Sequence, residues 1–405
     1  MKKIHLLPIA FAFLTLISCD QDQQEETESE APLQEEIGQI QKAYAPDGRV
    51  ALFSVDAEKQ EDGIILKGET NMLEALDSLK RRLRASEVTF VDSVRVLPDT
   101  AALESKIMGV VPISVANLRD EPKHSAQLVT QVTLGMPLKV LKREGGWYYV
   151  QAPDGYLAWV DYGGIQNMTT AEFTNWLAAE KLIFTDTFGE SVEAARPGSA
   201  MVGDLVAGDI LQLEGENGGF YEVSYPNSKK AFIQKSQAKP YKDWLASLDQ
   251  TEESLVKTSE KLMGLPYLWG GTSSKGVDCS GFTKTVYFMN GFVLPRDASQ
   301  QVHAGKLVDS TRNFKNLEPG DLLFFGRPAT DSTSERVVHV GMWIGNDHFV
   351  HSMGEVHISN FDSTATDFDE YNYNRYLRSK RLLNEDRDLM LNLKDEKLFV
   401  QDSVR

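Results

Sequence analysis

Residues 106 to 161 break into five strand-length apolar runs cut by glycine turns, a pattern that fits a small antiparallel β domain and little else. The runs are Ile113 to Asn117, Leu128 to Gln131, Pro137 to Leu141, Trp147 to Gln151 and Ala158 to Asp161, with turns at Gly135, Gly145-Gly146 and Asp154-Gly155. Residues 180 to 240 repeat the order more loosely, and Thr170 to Lys181 between them has the period of a connecting helix. From Thr251 the pattern turns mixed. Helical Ser254 to Met263 and a second helix after Cys279 precede strands near Asp321 to Phe325, Val337 to Ile344 and His348 to Ser352. Upstream, Arg49 to Val55, Ile64 to Lys67 and Val88 to Val96 read as strands. They flank a helix, Met72 to Leu83, with Leu73, Leu76, Leu79 and Leu83 on one face. A chain of 405 residues has room for several such domains.

The N-terminus sets the expected compartment. Lys2 and Lys3 precede the apolar run Leu6 to Ile17, which has signal-peptide length and is short for a permanent span. Ser18-Cys19 closes it in a manner that resembles the bacterial lipobox, which implies cleavage before Cys19, acylation there and an exported, lipid-anchored protein. Residues 20 to 36 carry eight acidic side chains and no Lys or Arg, so they are expected to form a solvated tether. The formal net charge of -17 excludes nucleic acid as the partner, since phosphate binding needs a basic surface. The two cysteines, Cys19 and Cys279, sit in unrelated settings and give no disulfide framework.

Cys279 stands in Asp278-Cys279-Ser280-Gly281 at the start of a helix with Phe282, Val286 and Met289 on its apolar face. Backbone N–H groups and the helix dipole are expected to lower the thiol pKa there. The plainer reading, an inert buried cysteine, is at odds with these polar neighbours. A nucleophilic thiolate needs a base. In strand geometry, Val338, Val340, Met342 and Ile344 face one way, and His339, Gly341 and Trp343 the other. Gly345-Asn346-Asp347 is a turn signal. A three-residue loop pairs Ile344 with His348 and Gly341 with His351, which puts His351 diagonally beside His339; a slip of one residue sends it to the opposite face. His339 is then the base and His351 its orienting partner, while His303, His348 and His357 read as structural or surface residues and His124 as part of the first β domain. Tyr267, stiffened by Pro266, is a candidate oxyanion or substrate donor beside the plainer reading of a packing tyrosine. One Cys and two His at this spacing match no compact zinc motif, so neither metal nor organic cofactor is expected.

These residues carry a family resemblance. Tyr267-Leu268-Trp269-Gly270-Gly271, Asp278 to Phe282, Leu294 to Gln300, Pro319 to Phe325, His339 to Gly345 and Phe349 to Ser352 resemble, in that order, the NlpC/p60 cell-wall cysteine peptidases. The β domains resemble bacterial SH3-like barrels. The resemblance implies a multidomain α+β fold: two SH3-like β-barrels, then a papain-like α+β catalytic domain, with a small N-terminal α/β piece. The expected boundaries are 1–19 signal peptide, 20–45 tether, 46–104 α/β module, 105–165 first barrel, 166–248 linker helix and second barrel, 249–385 peptidase domain and 386–405 charged tail.

Barrels ahead of the peptidase look like the γ-D-glutamyl-L-diamino-acid endopeptidases. That implies cleavage of the γ-D-glutamyl-diaminopimelate (or lysine) bond in peptidoglycan stem peptides. It also implies a first barrel that recognises the free amine of an N-terminal L-Ala. The implied cleft residues are Asp278, Ser280, Trp269 and Asp297, with Tyr156 and Glu121 (or Asp120) from the barrel. The loop Arg327 to Arg336 is expected at the entrance. The rival functions are a non-catalytic cell-wall-binding lipoprotein and a thiol acyltransferase acting on lipids.

Overall fold

The computed structural model describes residues 21–60, 63–385 and 389–395, with side-chain surroundings from residue 33 onward. The signal segment and Cys19 lie outside the described residues, and among those described no helix is long and apolar enough to cross a membrane. The described residues form two compact units, one within residues 21–46 and 53–96 and the other within residues 47–52 and 97–395.

In the first unit, strands Phe53–Gln60 and Gly63–Thr70 pair antiparallel, and Phe90–Val96 joins the second of them in parallel. A parallel neighbour requires a crossover, supplied by helix Leu73–Ala85. Leu76, Leu79 and Leu83 of that helix are buried, whereas Leu73, expected on the same face, is exposed at the first helical position. The acidic stretch departs from the expected tether: Gln21–Tyr44 is one helix. Its polar N-terminal half hides the signal, because the apolar anchors come only at Ile37 and Ile40, which are buried with Phe53, Val55 and Leu66 in this unit.

In the second unit, two seven-stranded antiparallel sheets close around separate apolar centres, in the places expected for the barrels. In the first, strands Met108–Val110 through Gln166–Met168 surround Leu118, Val140, Val150 and Val160, all fully buried. The second contains three strands absent from the sequence reading, Phe188–Val192, Met201–Val206 and Ala238–Pro240, because none shows a clean apolar alternation. The expected 46–104 module is divided. Leu157 N–H donates to Arg49 O at 2.7 Å, and Leu97 packs on Leu141 and Leu157, so residues 47–52 and 97 onward belong with the first barrel. Residues 389–395 of the expected tail likewise return to the fold. Leu391–Asn392 pairs with Phe292–Val293, and Met390 and Leu393 are buried.

The third domain packs helix Cys279–Phe288 on a six-stranded antiparallel sheet. Three of its strands, Lys306–Asp309, Glu355–Asn360 and Tyr376–Arg381, were not evident in the sequence, where charged residues interrupt them. Phe282 and Val286 of the helix meet Phe324, Val340, Met342 and Val350 on one sheet face; Leu323, Phe325, Trp343 and Phe349 form a second cluster. The barrels and the third domain are joined by polar contacts. Gln131 Oε1 accepts from Thr272 N–H and Ser273 Oγ, both at 3.0 Å, and Asp204 accepts from Lys275.

Candidate active site

Asp278 starts the Cys279 helix. Its Oδ1 accepts the Gly281 N–H at 2.7 Å, an N-cap that satisfies one of the free donors of the first turn. Gly281 has no alternative, since a Cβ there would lie 1.9 Å from Gly271 O. Arg296, fully buried, closes a bidentate pair on the same carboxylate, Nη2 to Oδ2 at 2.6 Å and Nη1 to Oδ1 at 3.2 Å. Gly270 N–H completes it at 3.0 Å. Ser280 Oγ donates to Asp278 and accepts from Arg296. The carboxylate and hydroxyl expected to face substrate are therefore occupied by the scaffold under the helix. Asp278 and Ser280 hold the nucleophile in place.

Cys279 is buried, with the backbone N–H of Val340, the residue after His339, close enough to its thiol to favour the thiolate. Here the expectation fails. Burial first, then the Asp278 charge, pushes the thiol up to about 12, against the backbone N–H groups of Val340 and Ser280 and the Arg296 charge. The sequence shows the helix start, and burial belongs to the tertiary fold.

The histidine geometry follows from one turn. The loop is two residues, not three, with Asn346 and Asp347 at φ of 52° and 61°, the paired left-handed conformation of a tight hairpin. Gly345 faces His348, and an irregularity between Trp343 and Gly345 absorbs the difference, so Met342 still faces Val350. His351 consequently lies beside His339, with Nε2 of His339 2.8 Å from Nδ1 of His351. The close approach needs Gly341, where a Cβ would meet the Phe349 ring at 2.8 Å and the His351 Cβ at 3.2 Å. Nε2 of His351 is 3.0 Å from Ser359 Oγ. One detail of the faces differs. A bulge opposite Phe325-Gly326 turns Val338 outward, and Val337 packs on the core in its place.

Both imidazoles are held neutral. Burial, then the neighbouring His351, Arg375 and His357, puts His339 well below the usual histidine range. Burial and His357 bring His351 to about 3 despite the opposing Asp369 charge. The resting site is thus thiol and neutral imidazole. Tyr267 is half-buried; burial, then the nearby Cys279 and Asp278, raise its hydroxyl pKa, so it remains a proton donor close to the nucleophile. Trp269 is 62% exposed beside it, an open apolar surface.

Tyr156 of the first barrel is buried, with its hydroxyl 3.3 Å from Asp297 Oδ2. Arg49, read from the sequence only as the start of a strand, reaches the same carboxylate at 2.7 Å and Ser299 Oγ at 2.9 Å. Asp47, itself bonded by Gln300 Nε2 at 2.7 Å, holds the other side of the guanidinium. Nothing local marks Arg49 as a cleft residue, since Asp297 and Ser299 lie 248 and 250 residues away. Glu121 stands apart, with its side chain 59% exposed and paired with Lys123 at 2.7 Å. Arg327 and the residues to Arg336 form an exposed loop between two sheet strands. His357, read as structural or surface, sets its ring tilted against that of His351 with centroids 4.4 Å apart, and Arg375 lies 5.8 Å over Phe325. Among the described residues no cluster of His, Cys, Asp and Glu could hold a metal.

A profile of the NlpC/P60 family matches residues 264–377, and one of the bacterial dipeptidyl-peptidase SH3 domain matches residues 118–163. A Bacillus cereus protein named gamma-D-glutamyl-L-lysine dipeptidyl-peptidase is 29% identical over 240 residues, 56% of this chain and 67% of its own length. A Haemophilus influenzae protein named "Probable endopeptidase NlpC homolog" is 31% identical over 183 residues, 44% of this chain and 80% of its own. The crystal structure of an NlpC/P60 family protein from Bacillus cereus shares the fold at a TM-score of 0.57 and 24% identity, over 68% of this chain and 99% of that one. The Cys279 helix, the His339 strand and these matches fall on the same residues: the chain belongs to the NlpC/P60 family of cysteine peptidases.

Proposed function

We propose that the protein hydrolyses the γ-D-glutamyl-diaminopimelate (or lysine) bond of peptidoglycan stem peptides with a free N-terminal L-Ala. The observation that carries this reading is the joint: the first barrel delivers Tyr156 to Asp297, eighteen residues beyond the nucleophile. The name of the Bacillus cereus relative supports the choice of bond.

The reaction starts from thiol and neutral imidazole. His339 takes the Cys279 proton, the sulfur attacks the γ-glutamyl carbonyl, and the protonated imidazole returns the proton to the leaving amine. Water then opens the thioester. The Tyr267 hydroxyl and backbone N–H groups at the helix start stabilise the oxyanion. His351 fixes the His339 ring, and Trp269 supplies a wall for the peptide. Asp297 and the Tyr156 hydroxyl accept the ammonium of L-Ala, with Arg49 and Asp47 holding Asp297 still. Glu121 on its exposed turn is the less favoured acceptor. The run ending at Cys19 supports export and a lipid anchor, which brings the enzyme to wall peptides.

Acetylating the L-Ala amine tests amine recognition. It removes the charge and adds bulk where Tyr156 and Asp297 close the cleft. The kcat/KM for acetyl-L-Ala-γ-D-Glu-diaminopimelate is expected to fall at least about a hundred-fold against the free peptide. Equal turnover of the two contradicts the assignment.

A further inference from the structure

A neutral imidazole serves as the base only if its lone pair is on the nitrogen turned to the thiol, so the tautomer of His339 decides whether the site works. Nε2 of His339 is committed to His351 at 2.8 Å, which leaves Nδ1 for Cys279. The hydrogen between the two rings can belong to either. If it sits on His351 Nδ1, then His339 Nε2 accepts, His339 carries its own hydrogen on Nδ1, and the base is lost. Something beyond His351 must choose.

The far side of His351 supplies the choice. Nε2 of His351 meets Ser359 Oγ at 3.0 Å, both groups being buried. Ser359 lies beside Asp369, whose backbone N–H donates to Asn360 O at 2.8 Å. Burial alone would raise the Asp369 carboxyl, but the hydrogen bonds from Asn372, side chain and backbone, with the nearby Ser359 hydroxyl after them, outweigh it and hold the group below the usual carboxylate range. An ionised carboxylate only accepts.

We propose that Ser359 and Asp369 are positioning residues that set the histidine tautomers, through a one-way chain of donors running from His339 to Asp369. The Ser359 hydroxyl gives its hydrogen to Asp369, and its oxygen therefore accepts from His351 Nε2–H. His351 Nδ1 is then bare and accepts from His339 Nε2–H. His339 Nδ1 is left with the lone pair that takes the thiol proton. No proton moves along the chain. The groups around the pair, the Arg375 guanidinium and the His357 ring, oppose a second proton and keep both rings neutral, the condition under which tautomers matter.

The inference rests on Cys279 and His339 as nucleophile and base, and its test does not depend on the substrate. The full chain, labelled with 15N-histidine, is compared as wild type, Ser359→Ala and Ser359→Thr by long-range 1H–15N correlation at pH 7, where the ring pair is neutral. Wild type and Ser359→Thr are expected to show Nε2–H at both His339 and His351. Ser359→Ala should shift a large share of the pair to Nδ1–H, with kcat down roughly ten-fold or more at unchanged KM. Ser359→Thr should restore kcat. A wild type with Nδ1–H at His339 overturns the proposal, as does a Ser359→Ala spectrum identical to wild type, whether or not activity falls. A protein that shows the expected tautomers and no thiol-dependent turnover leaves the chain of donors standing and refutes the reaction.

Discussion

Replacing Cys279 with alanine is expected to reduce kcat by at least about 10^4-fold, because the thiol that forms the acyl intermediate is removed. The fold should survive. Cys279 is buried in the core that holds Val277, Phe282 and Val340, and deleting one sulfur leaves a small cavity worth about 1 kcal/mol. A denaturant melt and a turnover assay on the same preparation separate the two effects. Hydrolysis within ten-fold of wild type would remove the thiol from the mechanism. Loss of the cooperative melt would show instead that Cys279 is needed for packing.

Asp278→Ala should do the reverse, unfolding the chain more than it damages a folded site. Asp278 is the N-cap of the catalytic helix and the counter-charge of Arg296, which has no exposure to solvent of consequence. Removing one member of a buried ion pair strands the other, at about 3–5 kcal/mol, and the lost cap adds about 1 kcal/mol. The denaturation midpoint should fall accordingly. The double variant Asp278→Ala/Arg296→Met should recover part of the loss, since replacing both charges by apolar groups is tolerated far better than stranding one. A wild-type melt with a raised KM would instead restore Asp278 to the role of substrate ligand that its place beside the nucleophile first suggested.

These variants mark where the sequence was legible. The helix start at Cys279 and the pairing of His339 with His351 follow from periodicity and a turn, both local. The histidine register held although the loop has one residue fewer than expected, since a bulge between Trp343 and Gly345 took up the slip. Family resemblance located the barrels and the peptidase domain for the same reason, that short motifs mark them. What stayed hidden is what the tertiary fold creates. The thiol is driven up by burial that no motif encodes. Asp278 looked like a cleft residue until Arg296, eighteen positions on, was seen to cover it. Arg49 reaches Asp297 from the other end of the chain, and Ser359 reaches His351 from a strand whose polar residues masked it. The helix Gln21–Tyr44 was lost among acidic residues because its two buried isoleucines lie near its end.

The bond that is broken is the central claim, and isotope labelling reads it directly. The full chain is incubated with L-Ala-γ-D-Glu-diaminopimelate in 18O-water, and the products are identified by mass spectrometry. Attack by Cys279 on the γ-glutamyl carbonyl, followed by hydrolysis of the thioester, predicts 18O in the γ-carboxyl of L-Ala-D-Glu and unlabelled diaminopimelate. Label in the alanine carboxyl, or a tripeptide that stays whole, would contradict it.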